Sequence, residues 1–242
     1  MGQFLDGLRE ALDLIVSGDP LVRDIALRTL RVGFEATLIA VLLGVPAGTL
    51  LALRPFRGRG VTVALVNAGI RLPPIALGQI LWLLMWPDSR WGGGPLAGLE
   101  WIYTIEAVIL AQTLLALPIV IALTVAAVRR VPAGLLDQAE AFGAPAWRRG
   151  LLAVREARRG VTAAIIAALG TAIASVGAVV VIGNSLGSAT LATATLTSWN
   201  AGGNDAHAVA YGTVLLAMFL VLAAGLTVVQ EGRAGWIPGR RS

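Results

Sequence analysis

The 242-residue chain contains no cysteine and no lysine, and it has a single histidine, His207. Without cysteine it has no disulfides, zinc thiolate sites or cysteine nucleophiles. All nineteen basic residues are arginine, which excludes a phosphate-loop lysine, a Schiff base and a Ser–Lys dyad. The sequence also lacks an HExxH motif and a plausible Ser/His/Asp set. We therefore predict no catalytic site, no metal site and no cofactor in this chain.

Charged residues are scarce, at 14% of the chain, whereas 57% of the residues are hydrophobic. Soluble domains average about 25% charged residues, so the composition predicts an all-α integral membrane protein. The net charge of +5 does not indicate nucleic-acid binding, because the arginines lie at the ends of apolar runs. We predict an amphipathic N-terminal helix in residues 1–19 and a transmembrane domain in 20–242. The apolar runs predict spans at about 32–53, 61–86, 105–128, 161–183 and 207–229.

A polar interval, residues 129–160, interrupts the apolar chain and is called the basic hairpin below. It carries seven arginines and three acidic residues. Leu135, Leu136, Ala139 and Phe142 recur at helical spacing and mark one face of a short helix. Gly143 tolerates a left-handed stop and a proline follows it, so the helix should end there. A second helical piece is predicted from residue 146 onwards.

The distribution of arginine predicts the orientation of the chain in the membrane. The turn at 54–60, the basic hairpin and the tail after 229 hold three, seven and three arginines. The N-terminal region holds four, the loop 87–104 holds one and the segment 184–206, rich in threonine and small residues, holds none. Because cytoplasmic loops are enriched in basic residues, we expect the hairpin and C-terminus inside and the N-terminus outside.

Residues 137–143 read Asp-Gln-Ala-Glu-Ala-Phe-Gly. They resemble the Glu-Ala-Ala, three residues, Gly signature in the cytoplasmic loop of permease subunits of bacterial binding-protein-dependent ABC importers. Residues 72–78, 111–118 and 155–158 resemble the oxyanion branch of that family, and within it the tungstate permeases. The resemblance implies a type I importer permease in the bacterial inner membrane that moves tungstate inward by alternating access. Molybdate and sulfate are the alternative substrates, and a stand-alone channel or secondary transporter is the alternative class.

The same resemblance implies the partners and the coupling site. The chain would form a homodimer in the lipid bilayer, with two ATP-binding subunits that carry out the hydrolysis and an extracytoplasmic oxyanion-binding protein. In such permeases the short helix of the loop docks into a groove on the ATP-binding subunit. Leu136, Ala139 and Phe142 would supply the apolar contact. Asp137 and Glu140 would contact basic groups of the ATP-binding subunit. The implied coupling residues are Leu136, Asp137, Gln138, Ala139, Glu140, Ala141, Phe142 and Gly143.

Candidate residues of the substrate path lie at the Pro-Pro break of the second span and at uncharged positions in and after the fourth span. Arg71 directly precedes a Pro-Pro pair in the second span, where burial of its charge costs at least about 2.5–3.5 kcal/mol. Either it lines the path and attracts the anion, or it pairs with carbonyls and carboxylates between helices, and we favour the second alternative. Relatives carry an acidic residue within the fourth span, where this chain has Ser175. They carry basic residues after that span, where Asn184 and its neighbours in this chain are uncharged. The implied path residues are Arg71, Pro73, Pro74, Ser175 and Asn184.

Overall fold

The computed structural model describes Arg9 and residues 11–87, 94–183, 187–200 and 205–231. All regular secondary structure in these ranges is helical, in agreement with the all-α prediction. A short 3-10 turn, Ala97–Leu99, lies between the third and fourth helices. The helices from residue 20 onwards, numbered α1 to α10 in chain order, are Pro20–Leu53, Arg59–Ile70, Pro74–Met85, Ile105–Val128, Ala133–Ala141, Ala146–Glu156, Arg158–Ala174, Gly177–Ile182, Leu191–Asn200 and Asp205–Glu231.

Among the described residues, three helices are long and apolar enough to cross a bilayer, namely α1, α4 and the part of α10 from Ala206 to Val228. The predicted third span, 105–128, has the same ends as α4, and the predicted fifth span, 207–229, lies within α10. The predicted first span, 32–53, is the second part of α1. Two bent helix pairs in the described ranges, α2–α3 and α6–α7, pass the same test when each is taken as one span. The count of five spans therefore stays a prediction.

The second predicted span is broken where its prolines indicated. α2 ends at Ile70, α3 begins at Pro74, and the two axes differ by 103°. Proline lacks the N–H that a continuing helix needs and restricts the residue before it to extended conformations. Each helix has 12 residues, about 18 Å at 1.5 Å per residue, so neither alone crosses a hydrocarbon core of about 30 Å.

The predicted fourth span, 161–183, contains a break that the sequence analysis did not predict. α7 ends at Ala174, Ser175 is extended with φ −73° and ψ 118°, and α8 begins at Gly177. No proline lies at this break, so the local sequence carried no signal for it. A hydrogen bond to the carbonyl of Ser175 from another helix accompanies the break, as described below.

The core is built around α4, against which α1, α2, α7 and α8 pack. Glycines of α1 let α1 and α4 approach closely. A Cβ on Gly48 would lie 2.8 Å from the carbonyl oxygen of Ile121, and one on Gly44 would lie 2.8 Å from Val120 Cγ1. Small residues commonly permit such approaches between membrane helices. The relative positions of α1 and α4 therefore depend on these two glycines.

The N-terminal part of α1 is held by capping and by a neighbouring helix. Asp19 Oδ1 accepts hydrogen bonds from the N–H groups of Leu21 and Val22 at 2.9 and 3.0 Å, as expected for an N-cap residue. Residues 11–16 of the predicted N-terminal helix are helical, and 1–8 lie outside the described residues. The sequence pattern did not predict α9, which is tied to α1 by a bond from Leu191 N–H to Thr29 Oγ1 at 2.8 Å.

Candidate functional sites: the basic hairpin and two paired helix breaks

The basic hairpin consists of α5 and α6, and a specific backbone motif ends α5. Ala141 is the last residue of α5, and Gly143 has φ +80°. The N–H of Gly143 donates to the carbonyl of Glu140 at 2.8 Å, and the N–H of Ala144 donates to that of Ala139 at 2.9 Å. These two bonds form a Schellman motif, in which the left-handed residue is usually glycine. The left-handed stop predicted at Gly143 is therefore confirmed.

The side chains of α5 do not all face outward. Leu136 packs against the chain's own buried cluster of Val128, Ala153, Ala157 and Val161. The helical pattern showed which residues share a face but not what that face contacts, and the docking role of the half-buried Leu136 stays a prediction. Phe142, in contrast, is 90% exposed.

Trp147 also belongs to the exposed apolar surface of the hairpin, and the sequence pattern did not single it out. It lies in the first turn of α6, is 66% exposed, and the guanidinium of Arg148 lies 5.1 Å from its ring centroid. Together with Phe142 it flanks the turn at Gly143. A tryptophan within a polar, arginine-rich interval is the signal that would have indicated it.

An internal ion pair joins the two helices of the hairpin. The Arg149 guanidinium contacts the Glu140 carboxylate, and the two side chains are 30% and 61% exposed. The Glu140 side chain nevertheless stays 61% exposed, so its contact with basic groups of a partner remains a prediction. Asp137, Gln138 and Ala141 are exposed, whereas Ala139 is half-buried. The pair links α5 to α6, although an exposed ion pair stabilises a structure only slightly.

The second candidate site is formed by the two helix breaks, which lie against each other. A Cβ on Gly177, at the start of α8, would lie 2.9 Å from the backbone nitrogen of Ile75, and 3.2 Å from Pro74 Cβ. One turn further along α3, a Cβ on Gly78 would lie 2.9 Å from both Cα and the carbonyl oxygen of Ala178. The structure therefore brings the predicted path residues Pro73 and Pro74 next to the turn that contains Ser175.

Gln112, which is not among the residues predicted from the sequence, connects this pair of breaks to the central helix α4. Its side chain is completely buried, and Nε2 donates to the carbonyl oxygen of Ser175 at 3.1 Å. Among the described residues, Gln112 Oε1 and Ser175 Oγ have no hydrogen-bond partner, although both atoms are buried. An amide in the apolar run of α4 was the available signal, since buried polar groups are costly unless they are bonded.

The remaining predicted path residues are placed differently. Arg71 follows α2, and its side chain is exposed, with no ion pair or hydrogen bond from its guanidinium within the described ranges. Carbonyls and carboxylates of the described residues therefore do not surround it in the single chain, and the choice between its two predicted roles stays a prediction. Asn184 lies outside the described residues. Within the described part of the chain, His, Asp and Glu side chains form no group that could hold a metal ion.

Comparison with known proteins places this geometry in a family. Residues 44–232 match the family model of the binding-protein-dependent transport system inner membrane component. The chain belongs to this family. It is thus a multi-pass membrane permease component, of a kind that works with an ATP-binding subunit and a substrate-binding protein.

Two curated relatives and two solved structures support the assignment. The chain is 36% identical to the probable anion ABC transporter permease protein of Haloferax volcanii, over 79% of this chain and 83% of the relative. It is 27% identical to the tungstate uptake system permease protein TupB of Peptoclostridium acidaminophilum, over 96% of this chain and 100% of that protein.

The solved structures show the fold. An inward-facing structure of the MetNI methionine ABC transporter matches with a TM-score of 0.71 and 21% identity, over 87% of this chain and 95% of that one. An amino acid ABC transporter matches with a TM-score of 0.63 and 17% identity, over 90% and 96% of the two chains. The predicted type I importer permease fold is confirmed by these two matches.

Proposed function

We propose that this chain is the permease subunit of an importer for a tetrahedral oxyanion, with tungstate as the first candidate. The observation that carries the substrate class is the match to a tungstate uptake permease over 96% of this chain and the whole of that protein. The relative from Haloferax volcanii, which is named for an anion, points to the same class. Molybdate and sulfate have the same shape and charge, and they are the alternatives.

We propose the paired helix breaks as the path of the anion. The positive end of the α3 dipole lies there, and the first N–H groups of a helix have no partner within that helix. Half-helix N-termini that point at anionic groups are a recurring feature of transporters. Arg71 stands at the same break with an exposed guanidinium. Two copies in a homodimer would present two such arginines and two pairs of breaks.

The basic hairpin is proposed as the docking site for the ATP-binding subunit. Its exposed Phe142 and Trp147 supply apolar surface, and Asp137 supplies charge. The Schellman turn and the Glu140–Arg149 pair hold α5 in one orientation. The hairpin contacts the membrane domain through Leu136 and Ala153, so a push on α5 would be passed to α4 and α7. In this arrangement the hydrolysis takes place in the partner, and this chain supplies the path and the coupling.

Transport by the reconstituted complex tests the proposal. The chain, its ATP-binding subunit and its binding protein are placed in proteoliposomes, and uptake of tungstate, molybdate and sulfate is measured with and without ATP. We expect tungstate uptake only with ATP and the binding protein, and no uptake by this chain alone. Uptake by this chain alone would show a channel or secondary transporter instead. If the complex takes up sulfate but not tungstate, sulfate replaces tungstate as the proposed substrate.

A further inference from the structure

A cavity of about 570 Å³ lies between α4 and α7 at the end of the helices that carries the basic hairpin. Its walls are apolar and mostly small, with Leu123 and Ala126 from α4 and Ala163 from α7. The two helices touch at one side of the cavity, where a Cβ on Gly160 would lie 2.4 Å from Ala127 Cβ. The contact between Gly160 and Ala127 closes one side of the cavity. The cavity is therefore a cleft whose walls are formed by α4 and α7.

The polar residues of the cleft lie where α4 ends and α7 begins. Arg130 and Arg159 line it together with Glu156, and all three side chains are exposed. Their neighbours Arg129, Arg155 and Arg158 bring this end to five arginines against one glutamate, a net formal charge of +4. Within the described ranges, none of these five arginines is ion-paired. The cleft thus combines an apolar interior with unpaired cations beside it.

We propose that this cleft binds an anionic phospholipid, with its phosphate between Arg130 and Arg159 and one acyl chain along Leu123, Ala126 and Ala163. Guanidinium groups bind phosphate oxygens in a bidentate manner, and basic pockets between membrane helices bind anionic lipid headgroups. The arginines lie at the ends of membrane helices, which is the depth of the headgroups. A free hydrated oxyanion has the same charge chemistry, but it gains nothing from an apolar wall. The shape of the cleft therefore favours the lipid over the transported anion.

Lipid retention by the purified complex tests this proposal without any transport substrate. The complex with its ATP-binding subunit is placed in nanodiscs of phosphatidylcholine with a small fraction of phosphatidylglycerol, and bound phosphatidylglycerol is measured by native mass spectrometry. In the double variant Arg130→Gln/Arg159→Gln we expect the affinity for phosphatidylglycerol to fall at least about tenfold. The control Arg54→Gln/Arg57→Gln removes the same charge from the predicted 54–60 turn and should change the affinity less than about twofold. If both double variants lose the same affinity for phosphatidylglycerol, the effect comes from general surface charge, and the proposed lipid site is overturned.

A second variant separates the lipid from a free anion. Ala126→Phe fills the apolar part of the cleft and leaves both arginines in place. It should lower the affinity for phosphatidylglycerol and leave the affinity for inorganic phosphate and tungstate unchanged. If Ala126→Phe has no effect on lipid, or if tungstate displaces phosphatidylglycerol in competition, the cleft is a free-anion site and the lipid proposal fails. No enrichment of phosphatidylglycerol over phosphatidylcholine in the unaltered complex also overturns it, whatever the outcome of the uptake assay.

Discussion

Gly143 offers a direct test of the docking hairpin, because its contribution can be separated from packing. It has φ +80°, and a Cβ added there would meet no atom within 4 Å. A side chain at this position therefore adds backbone strain and no clash. An L-residue in the left-handed region costs about 1–2 kcal/mol, and a β-branched residue costs more. One or two kcal/mol corresponds to a factor of about 5–30 in an equilibrium.

If the ATP-binding subunit recognises α5 only with its turn intact, the apparent dissociation constant rises as the population of that turn falls. We expect Gly143→Ala to weaken the complex by about 5–30-fold and Gly143→Val to weaken it further and abolish uptake. Gly143→Asn should lie between Gly143→Ala and the native chain, since asparagine tolerates the left-handed region. Binding to the ATP-binding subunit is measured with the permease in nanodiscs, and uptake in proteoliposomes.

Gly134 provides a matched control on the same helix. It lies inside α5, its φ is not positive, and a Cβ there also meets no atom within 4 Å. Alanine is favoured over glycine in a helix by about 0.8–1.0 kcal/mol, so Gly134→Ala should leave docking unchanged or slightly tighter. If Gly143→Ala and Gly134→Ala bind the ATP-binding subunit equally well, the turn is not required for docking and the reasoning is refuted.

Three further outcomes follow from the structure. Arg71→Ala should reduce oxyanion uptake strongly without lowering the Tm of the complex, because Arg71 is exposed and has no partner in the described ranges; a lower Tm with unchanged transport per folded molecule would reject the path role. Gly78→Ala should lower the Tm, because the added Cβ would lie 2.9 Å from Ala178 backbone atoms and such overpacking costs about 1–3 kcal/mol of stability; an unchanged Tm would show that the two breaks can separate. Cysteines at the exposed positions Gly98 and Ala146 should be labelled from opposite sides of the membrane, and labelling of Ala146 in intact cells would reverse the proposed topology.

Features that depend on neighbours in the chain could be predicted from the sequence. The ends of α4 follow from the length of one apolar run, and the break before α3 follows from two prolines that cannot continue a helix. The stop at Gly143 follows from the tolerance of glycine for positive φ. The likeness to permease subunits also depended on short motifs within these segments. In each case the cause and its effect lie within a few residues of each other.

Features that join distant parts of the chain were decided by the tertiary structure. Ser175 carries no local signal for a break, and its carbonyl is bound by Gln112, 63 positions earlier in the chain. Leu136 and Phe142 share a helical pattern, but only the position of α5 over the cluster around Val128 turns one inward and leaves the other exposed. The close contact between Gly78 and Ala178 likewise arises only when α3 and α8 meet. Periodicity and turn residues specify helices and their ends, whereas burial and pairing depend on which surfaces come together.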